Sequence, residues 1–168
     1  MRFLIPLCLA ATWVLAQPPA AQASAPQDDP TALPEVRNYT LTMPKVEKWY
    51  AAGRAVVAYQ IGLGPGIARM PDPPPGLPHT LDAYANWTKA NYPIHVKLVE
   101  RAGLTFKEYL IIDFAMKVAL GAASMAERGV QPPPGMFINQ ANVQFVKANK
   151  EKITAMYADF QKLALGHK

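Results

Sequence analysis

The sequence predicts an all-α domain, a four-helix-bundle-like arrangement with one proline-broken helix and two Pro-rich loops. Apolar residues recur at helical spacing in several separate stretches. Helix-capping residues, Thr80, Thr105 and Asn139, stand before three of these stretches. Alternating apolar and polar runs and Asn-Gly hairpin signals, which indicate strands, are absent from the sequence. An antiparallel bundle is the expected packing.

The N-terminus has the pattern of a secretory signal peptide. A positive Met1-Arg2 start precedes the apolar run 3–16, and Ala21-Gln22-Ala23 matches the small-x-small cleavage pattern. We therefore expect residues 1–23 to be a cleaved signal peptide and the protein to be periplasmic or secreted. Cleavage would remove Cys8, the single cysteine, so the mature chain would form no disulfide and no thiolate metal site.

The remaining chain is predicted to form one domain behind a short leader. Residues 24–39 are polar and contain proline without any period, which indicates a flexible leader. Residues 40–168 are enough for a single helical domain. Its first helix follows Thr42 or Met43, with Pro44 in the first turn, where a missing N–H costs nothing.

A Pro- and Gly-rich loop is predicted over residues 62–79, which hold six prolines and four glycines. Thr80 then caps a helix that Pro93 interrupts, and the second piece ends at Gly103. The residues Thr105 to Glu108 form a capping box that starts a long helix ending near Gly129. After a second Pro-rich connection, Asn139 starts one continuous last helix.

The long helix contains the most apolar run after the N-terminus, with two charges inside it. Asp113 and Lys117 are four residues apart, acid before base, which is the favourable order for an ion pair on a helix. Two charges near the middle of a membrane span would be costly in lipid. We therefore predict a central core helix with one solvent-exposed polar strip, and no membrane span after signal cleavage.

Three segments, LTMPKVEKWY, AGLTFKEYLI and INQANVQFVKANKEKI, resemble the opening, middle and closing segments of a group of small secreted bacterial helical proteins. The resemblance extends over most of residues 40–157 outside the Pro-rich loop 62–79. Its motifs are caps, helix starts and apolar faces. It implies an exported helical domain, and it carries over no catalytic residue, because no activity is known for the group.

Six residues are candidates for ligand contact. The aromatic residues among them could line a pocket between helices, although aromatics at helical spacing are more often core. His95 flanks an apolar arc, and Asn149 points into the apolar arc of the last helix, where a buried amide must find partners. The candidate ligand-binding set is Trp49, Tyr50, Trp87, His95, Tyr109 and Asn149.

The sequence offers no catalytic, metal or cofactor motif. His79, His95 and His167 are scattered and form neither HxxxH nor HExxH, and no GxSxG is present. The formal net charge of +5 falls to +4 without Arg2, far less than nucleic-acid binders concentrate. We therefore predict no catalytic residue, no metal, no cofactor and no nucleic-acid partner, and the enzyme hypothesis is the least favoured.

These observations lead to two functional hypotheses. The first is a non-enzymatic binding or scaffolding domain in the bacterial envelope, whose partner is an unknown envelope component or small ligand. The alternative is a small-ligand or cofactor carrier with an aromatic pocket between helices near Trp49 and Trp87.

Overall fold

A computed structural model describes residues 33–63, 74–78, 80–133 and 136–165, and every regular element within these ranges is a helix. This confirms the all-α class and bundle-like packing. Residues 1–23, predicted to be a signal peptide, and most of the predicted loop 62–79 lie outside the described residues. The helices are α1 (Pro34–Arg37), α2 (Met43–Gly62), α3 (Leu81–Asn91), α4 (Pro93–Arg101), α5 (Phe106–Glu127), α6 (Gln140–Ala148) and α7 (Lys150–Leu165).

The predicted helix starts are confirmed by their capping hydrogen bonds. The Thr80 hydroxyl accepts from the Ala83 N–H at 3.1 Å, and the Thr105 hydroxyl accepts from the Glu108 N–H at 3.0 Å. The second half of the predicted capping box is wrong. The Glu108 carboxylate does not bond back to its own helix start; it accepts the Tyr39 hydroxyl proton at 2.7 Å.

Helix α5 is the centre of the domain, as predicted. It packs against α1, α2, α3, α4 and α6, and nine of its residues are buried. Asp113 and Lys117 pair at 2.6 Å with side chains 20% and 60% exposed, which confirms the charged edge. Among the described residues, α5 alone is long and apolar enough to cross a membrane, by length and composition only, with a mean hydropathy of 1.5.

The prediction of one continuous last helix is wrong. The helix is interrupted at Asn149, where both the backbone N–H and the side-chain amide donate to the Phe145 carbonyl, at 3.1 Å and 2.8 Å. Beyond this break α7 lies along α2 and runs in the same direction. Lys152 pairs with Glu47, and Asp159 pairs with Arg54 farther along both helices. The expected antiparallel packing is therefore wrong for this pair.

The packed part of the chain begins earlier than residue 40. Residues 33–38, which the sequence placed in the flexible leader, include the short helix α1, and Val36 is buried against the core. Asn142 of α6 hydrogen-bonds to the backbone of the segment that follows α1. Its Oδ1 accepts the Leu41 N–H at 2.9 Å, and its Nδ2 donates to the Tyr39 carbonyl at 2.8 Å.

Candidate functional site

Trp49 lies inside a cluster of aromatic rings and is 3% exposed. Its ring centroid lies 6.5 Å from that of Tyr109, 5.7 Å from Tyr157 and 5.5 Å from Phe160. These separations are those of packed aromatic pairs. The rings of α2, α5 and α7 therefore contact one another at the place where the sequence predicted an aromatic pocket.

Trp87 is separated from Trp49 by other rings. Trp87 packs on Tyr84 at 5.8 Å, Tyr84 on Phe106 at 6.4 Å, and Phe106 on Tyr109 at 6.0 Å. The two tryptophans therefore belong to one chain of ring contacts. They do not face each other across a space in the described part of the molecule.

Two polar atoms in the Trp49 cluster have no hydrogen-bond partner among the described residues. They are Trp49 Nε1 and the Tyr157 hydroxyl, both buried. Burial, with a further contribution from the Asp113 charge, raises the pKa of Tyr157 to about 12. The same two causes raise the pKa of Tyr109. Both phenols are therefore protonated at neutral pH, and neither can act as a base there.

Tyr50 lies at the surface edge of the same cluster. Its hydroxyl donates to Asp159 at 2.6 Å, and Arg54 pairs with that carboxylate at 3.1 Å. The hydrogen bond to Asp159 raises the pKa of Tyr50. This triad joins α2 to α7, which is a structural role.

His95, on α4, is 6% exposed and packs against the end of α2. Its Nε2 lies 3.3 Å from Gln60 Nε2, and the rings of Tyr59 and Tyr92 meet it edge-on at 5.5 Å and 5.7 Å. Burial lowers the pKa of His95. No carboxylate hydrogen-bonds to it within the described ranges, so this geometry favours a packing histidine over a proton-transfer group.

Asn149 lies apart from the ring chain. The sequence correctly singled it out as an unusual amide, but its partner is the Phe145 carbonyl of its own helix. The side chain is half-buried and ends α6. Asn149 therefore lies at the junction between α6 and α7.

The structure forms a groove that the sequence did not indicate. It has a volume of about 380 Å³ and lies between the C-terminal half of α5, the Pro-rich connection that follows α5, and α6. Small apolar side chains form its floor, and Val130 at its edge is 51% exposed. The lining includes Ala122, Ala126, Val130, Gln131, Pro132, Ile138, Gln140, Val143, Gln144 and Lys147.

The rim of this groove is polar and carries positive charge. Gln131, Gln140 and Gln144 line it, and their side chains make no hydrogen bond to another described residue. Beside it, Lys150 pairs with Glu127 at 2.8 Å. That hydrogen bond is the main cause that lowers the pKa of Glu127. The positive charges of Lys150 and Lys147 lower this pKa further. Lys147 makes no ion pair of its own within the described part.

A second concavity lies on the outer face of α2 and is more open to solvent. It has a volume of about 420 Å³ and is lined by Tyr50, Arg54 and three alanines of α2, with Leu163 of α7. Arg54 already pairs with Asp159 there. The groove beside α6 is therefore the better candidate site, because its polar groups still have hydrogen-bonding capacity.

The described residues contain no group of three His, Cys, Asp or Glu side chains placed to hold a metal ion. No family model matches the chain, and neither a curated protein nor a solved structure matches it.

Proposed function

We propose that this chain is an exported, non-enzymatic binding or scaffolding domain of the bacterial envelope. The signal-peptide pattern of residues 1–23 supports export. The resemblance of three segments to small secreted bacterial helical proteins supports the same compartment. Helix α5 is interpreted as a core helix, because its buried residues pack on five other helices.

The groove beside α6 is the observation that carries the binding hypothesis. Its floor offers apolar contact, and its rim offers amide donors and acceptors with a lysine. Concave, mostly apolar surfaces with a few polar groups are the usual form of binding sites. The amides can hydrogen-bond with a peptide backbone, so a segment of a partner protein suits the groove.

The carrier hypothesis has less support. Its pocket required open space near Trp49 and Trp87, and the rings of Tyr84, Phe106 and Tyr109 occupy the region between these residues. The enzyme hypothesis also has less support, because the buried His95 has a glutamine and two tyrosine rings as its neighbours.

A photo-crosslinking amino acid at Gln144 tests the groove in cells that produce the protein. We expect a discrete cross-linked product from Gln144 and none from the same group at Gln161, an exposed residue of α7. The variant Ala126→Arg should abolish the product, because Ala126 lines the groove and is exposed, so its bulk blocks the groove without disturbing the core.

Equal cross-linking from both positions, or an unchanged product in Ala126→Arg, would contradict a specific groove. Cell fractionation with N-terminal sequencing tests the export part separately. We expect the mature protein outside the cytoplasm, beginning at Ser24.

A further inference from the structure

An exposed phenylalanine and an unpaired arginine meet at one end of the groove beside α6. Phe137, in the connection before α6, is 45% exposed. The guanidinium carbon of Arg37, the last residue of α1, lies 3.3 Å from the centre of that ring. Within the described ranges this guanidinium makes no ion pair, and Glu35, the acid of α1, pairs with Lys107 instead. Arg37 is therefore a positive charge that is held in place without a carboxylate.

The stacked position leaves the hydrogen-bonding edge of Arg37 free. A guanidinium contacts an aromatic ring through its flat face, and its N–H donors project from the edge of the group. Two of these donors can bind the two oxygens of one carboxylate in parallel. Because the contact with Phe137 already restricts the side chain, less conformational freedom is lost when a carboxylate binds.

A small apolar cavity lies beside the Arg37–Phe137 pair. Its volume is about 10 Å³, which is room for one group of the size of a water molecule or a methyl group. The amides of Asn139 and Asn142, which also line it, already hydrogen-bond within the protein. The cavity therefore suits a small apolar side chain. Its apolar walls are Val36, Ala115, Val118 and Ala119.

This cavity and the groove beside α6 lie end to end along α5. The cavity extends to Ala119, and the groove begins one turn later, at Ala122. We call the two together the α5 strip, which runs from Ala115 to Ala126. Helix α5 rises about 16 Å over this distance, which is about the length of five residues of extended chain.

The α5 strip is closed at the Arg37 end. Helix α1 packs on α5 there, and Asn139 ties the connection to it by donating to the carbonyls of Arg37 and Tyr39, at 3.1 Å and 3.2 Å. An extended peptide that continued past this junction would have to leave the strip. A peptide that ends at Arg37 fits, and the end of a chain supplies a carboxylate.

We propose that the α5 strip binds the C-terminal residues of a partner protein as an extended chain, with the terminal carboxylate on Arg37. The last side chain is small and apolar and enters the cavity beside Phe137. The preceding residues lie in the groove beside α6, where the amides of Gln131 and Gln144 can hydrogen-bond with their backbone. The inference rests on the proposed function, because it names the chemistry of the partner segment in that same groove.

Random hexapeptides displayed with free C-termini are the probe, and they are selected on the full chain. We expect the selected peptides to share a small apolar last residue, alanine or valine. One of them is then synthesised as the free acid and as the C-terminal amide, and fluorescence anisotropy gives both Kd values. Amidation should weaken binding at least about tenfold, because it removes a hydrogen-bonded charge.

The variant Arg37→Gln shows whether Arg37 is the partner of the carboxylate. In this variant the free acid and the amide should bind within about twofold of each other, because the interaction between the two charges is gone. Arg101→Gln is the matched control and should keep the full effect of amidation. Arg101 is an exposed arginine of α4 that makes no ion pair in the described part of the chain.

Three results would overturn the proposal. They are a library that yields no binding peptide, selected peptides that are insensitive to amidation, and an effect of amidation that survives Arg37→Gln. If Arg37→Gln fails to fold, amide NMR spectra of the wild type decide. The free acid should shift the resonances of Asn38 and Phe137 more than the amide does, and identical shifts overturn the proposal.

Cross-linking from Gln144 in cells reports on the proposed function separately. A discrete cross-linked product together with an empty peptide selection would leave the groove as a binding site and remove only the role of Arg37. Loss of the cross-linked product would instead count against the groove itself.

Discussion

Gly53 is the position where the aromatic core is most sensitive to one added atom. A Cβ there would lie 2.8 Å from Phe160 Cζ and 3.5 Å from the Tyr109 hydroxyl oxygen. Phe160 cannot move away easily, because its ring packs against Trp49 and Tyr50. The close approach of these rings therefore requires glycine at this point of α2.

We expect Gly53→Ala to lower the free energy of unfolding by about 1–3 kcal/mol, the usual effect of overpacking a core. Gly121→Ala in α5 is the matched control, because a Cβ there meets nothing within 4 Å. The control should stabilise the helix by about 0.5–1 kcal/mol. Urea unfolding measures both changes, and equal effects at the two positions would refute the packing argument.

His95 makes the stability depend on pH. Its folded-state pKa lies below the unfolded value because the ring is buried. The unfolded chain therefore binds more protons in that pH window, and stability rises with pH there. We expect the contribution of neutral His95 to be fully present above about pH 6.5, and to be lost progressively as the pH falls from there towards the folded-state pKa.

The measurement compares the free energy of unfolding of the wild type and His95→Gln between pH 7.5 and pH 5. The wild type should lose stability relative to the variant on acidification, by no more than about 1.4 kcal/mol per pH unit. Parallel profiles would show that His95 does not become protonated on unfolding in this range.

At the scale of elements, two asparagines seven residues apart perform different tasks. Asn149 ends α6 through a bond to the Phe145 carbonyl within the same helix. Asn142, 2% exposed, joins α6 to the backbone of Tyr39 and Leu41, about a hundred residues away. The sequence drew attention to Asn149 and missed Asn142, because the partners of Asn142 come from a distant segment.

We expect Asn142→Ala to lower the free energy of unfolding by about 1–3 kcal/mol, because the Leu41 N–H would lose its acceptor while still buried. Gln144→Ala, an exposed amide on the same helix, should change it by less than about 0.5 kcal/mol. Thermal unfolding followed by circular dichroism compares the two. If Asn142→Ala left the free energy of unfolding unchanged, the bonds from Asn142 to the backbone of Tyr39 and Leu41 would not stabilise the domain.

At the scale of the whole molecule, the segment 33–41 is part of the domain. It buries Val36 and Leu41 and supplies Tyr39 to the Glu108 carboxylate. We expect a chain that begins at Thr42 to be less stable than the full chain by several kcal/mol, at about 1.5–3 kcal/mol for each buried aliphatic side chain.

A chain that begins at Leu33 is the control for this truncation. It should lose less than about 1 kcal/mol, since it keeps the buried Val36 and Leu41 and the bond from Tyr39 to Glu108. Denaturant midpoints measure both. If the two truncations prove equally stable, residues 33–41 do not contribute to the core and the domain begins near residue 42.

The sequence by itself determined the helices and most of their ends. The residues that start or end these helices act through hydrogen bonds or backbone angles within a few residues, so the local sequence is enough to predict their roles. They are Thr80, Thr105, Asn139 and Gly103. The Asp113–Lys117 pair belongs to the same class, since its partners are one helical turn apart.

Only the tertiary structure decided where the candidate site lies. The groove requires the Pro-rich connection to pass beside both α5 and α6, and the closing of the aromatic pocket requires rings from α2, α5 and α7 to meet. The position of residues 33–41 depends on Asn142 in the same way. These are contacts between residues far apart in the chain, which local patterns do not encode because each depends on how several helices pack at once.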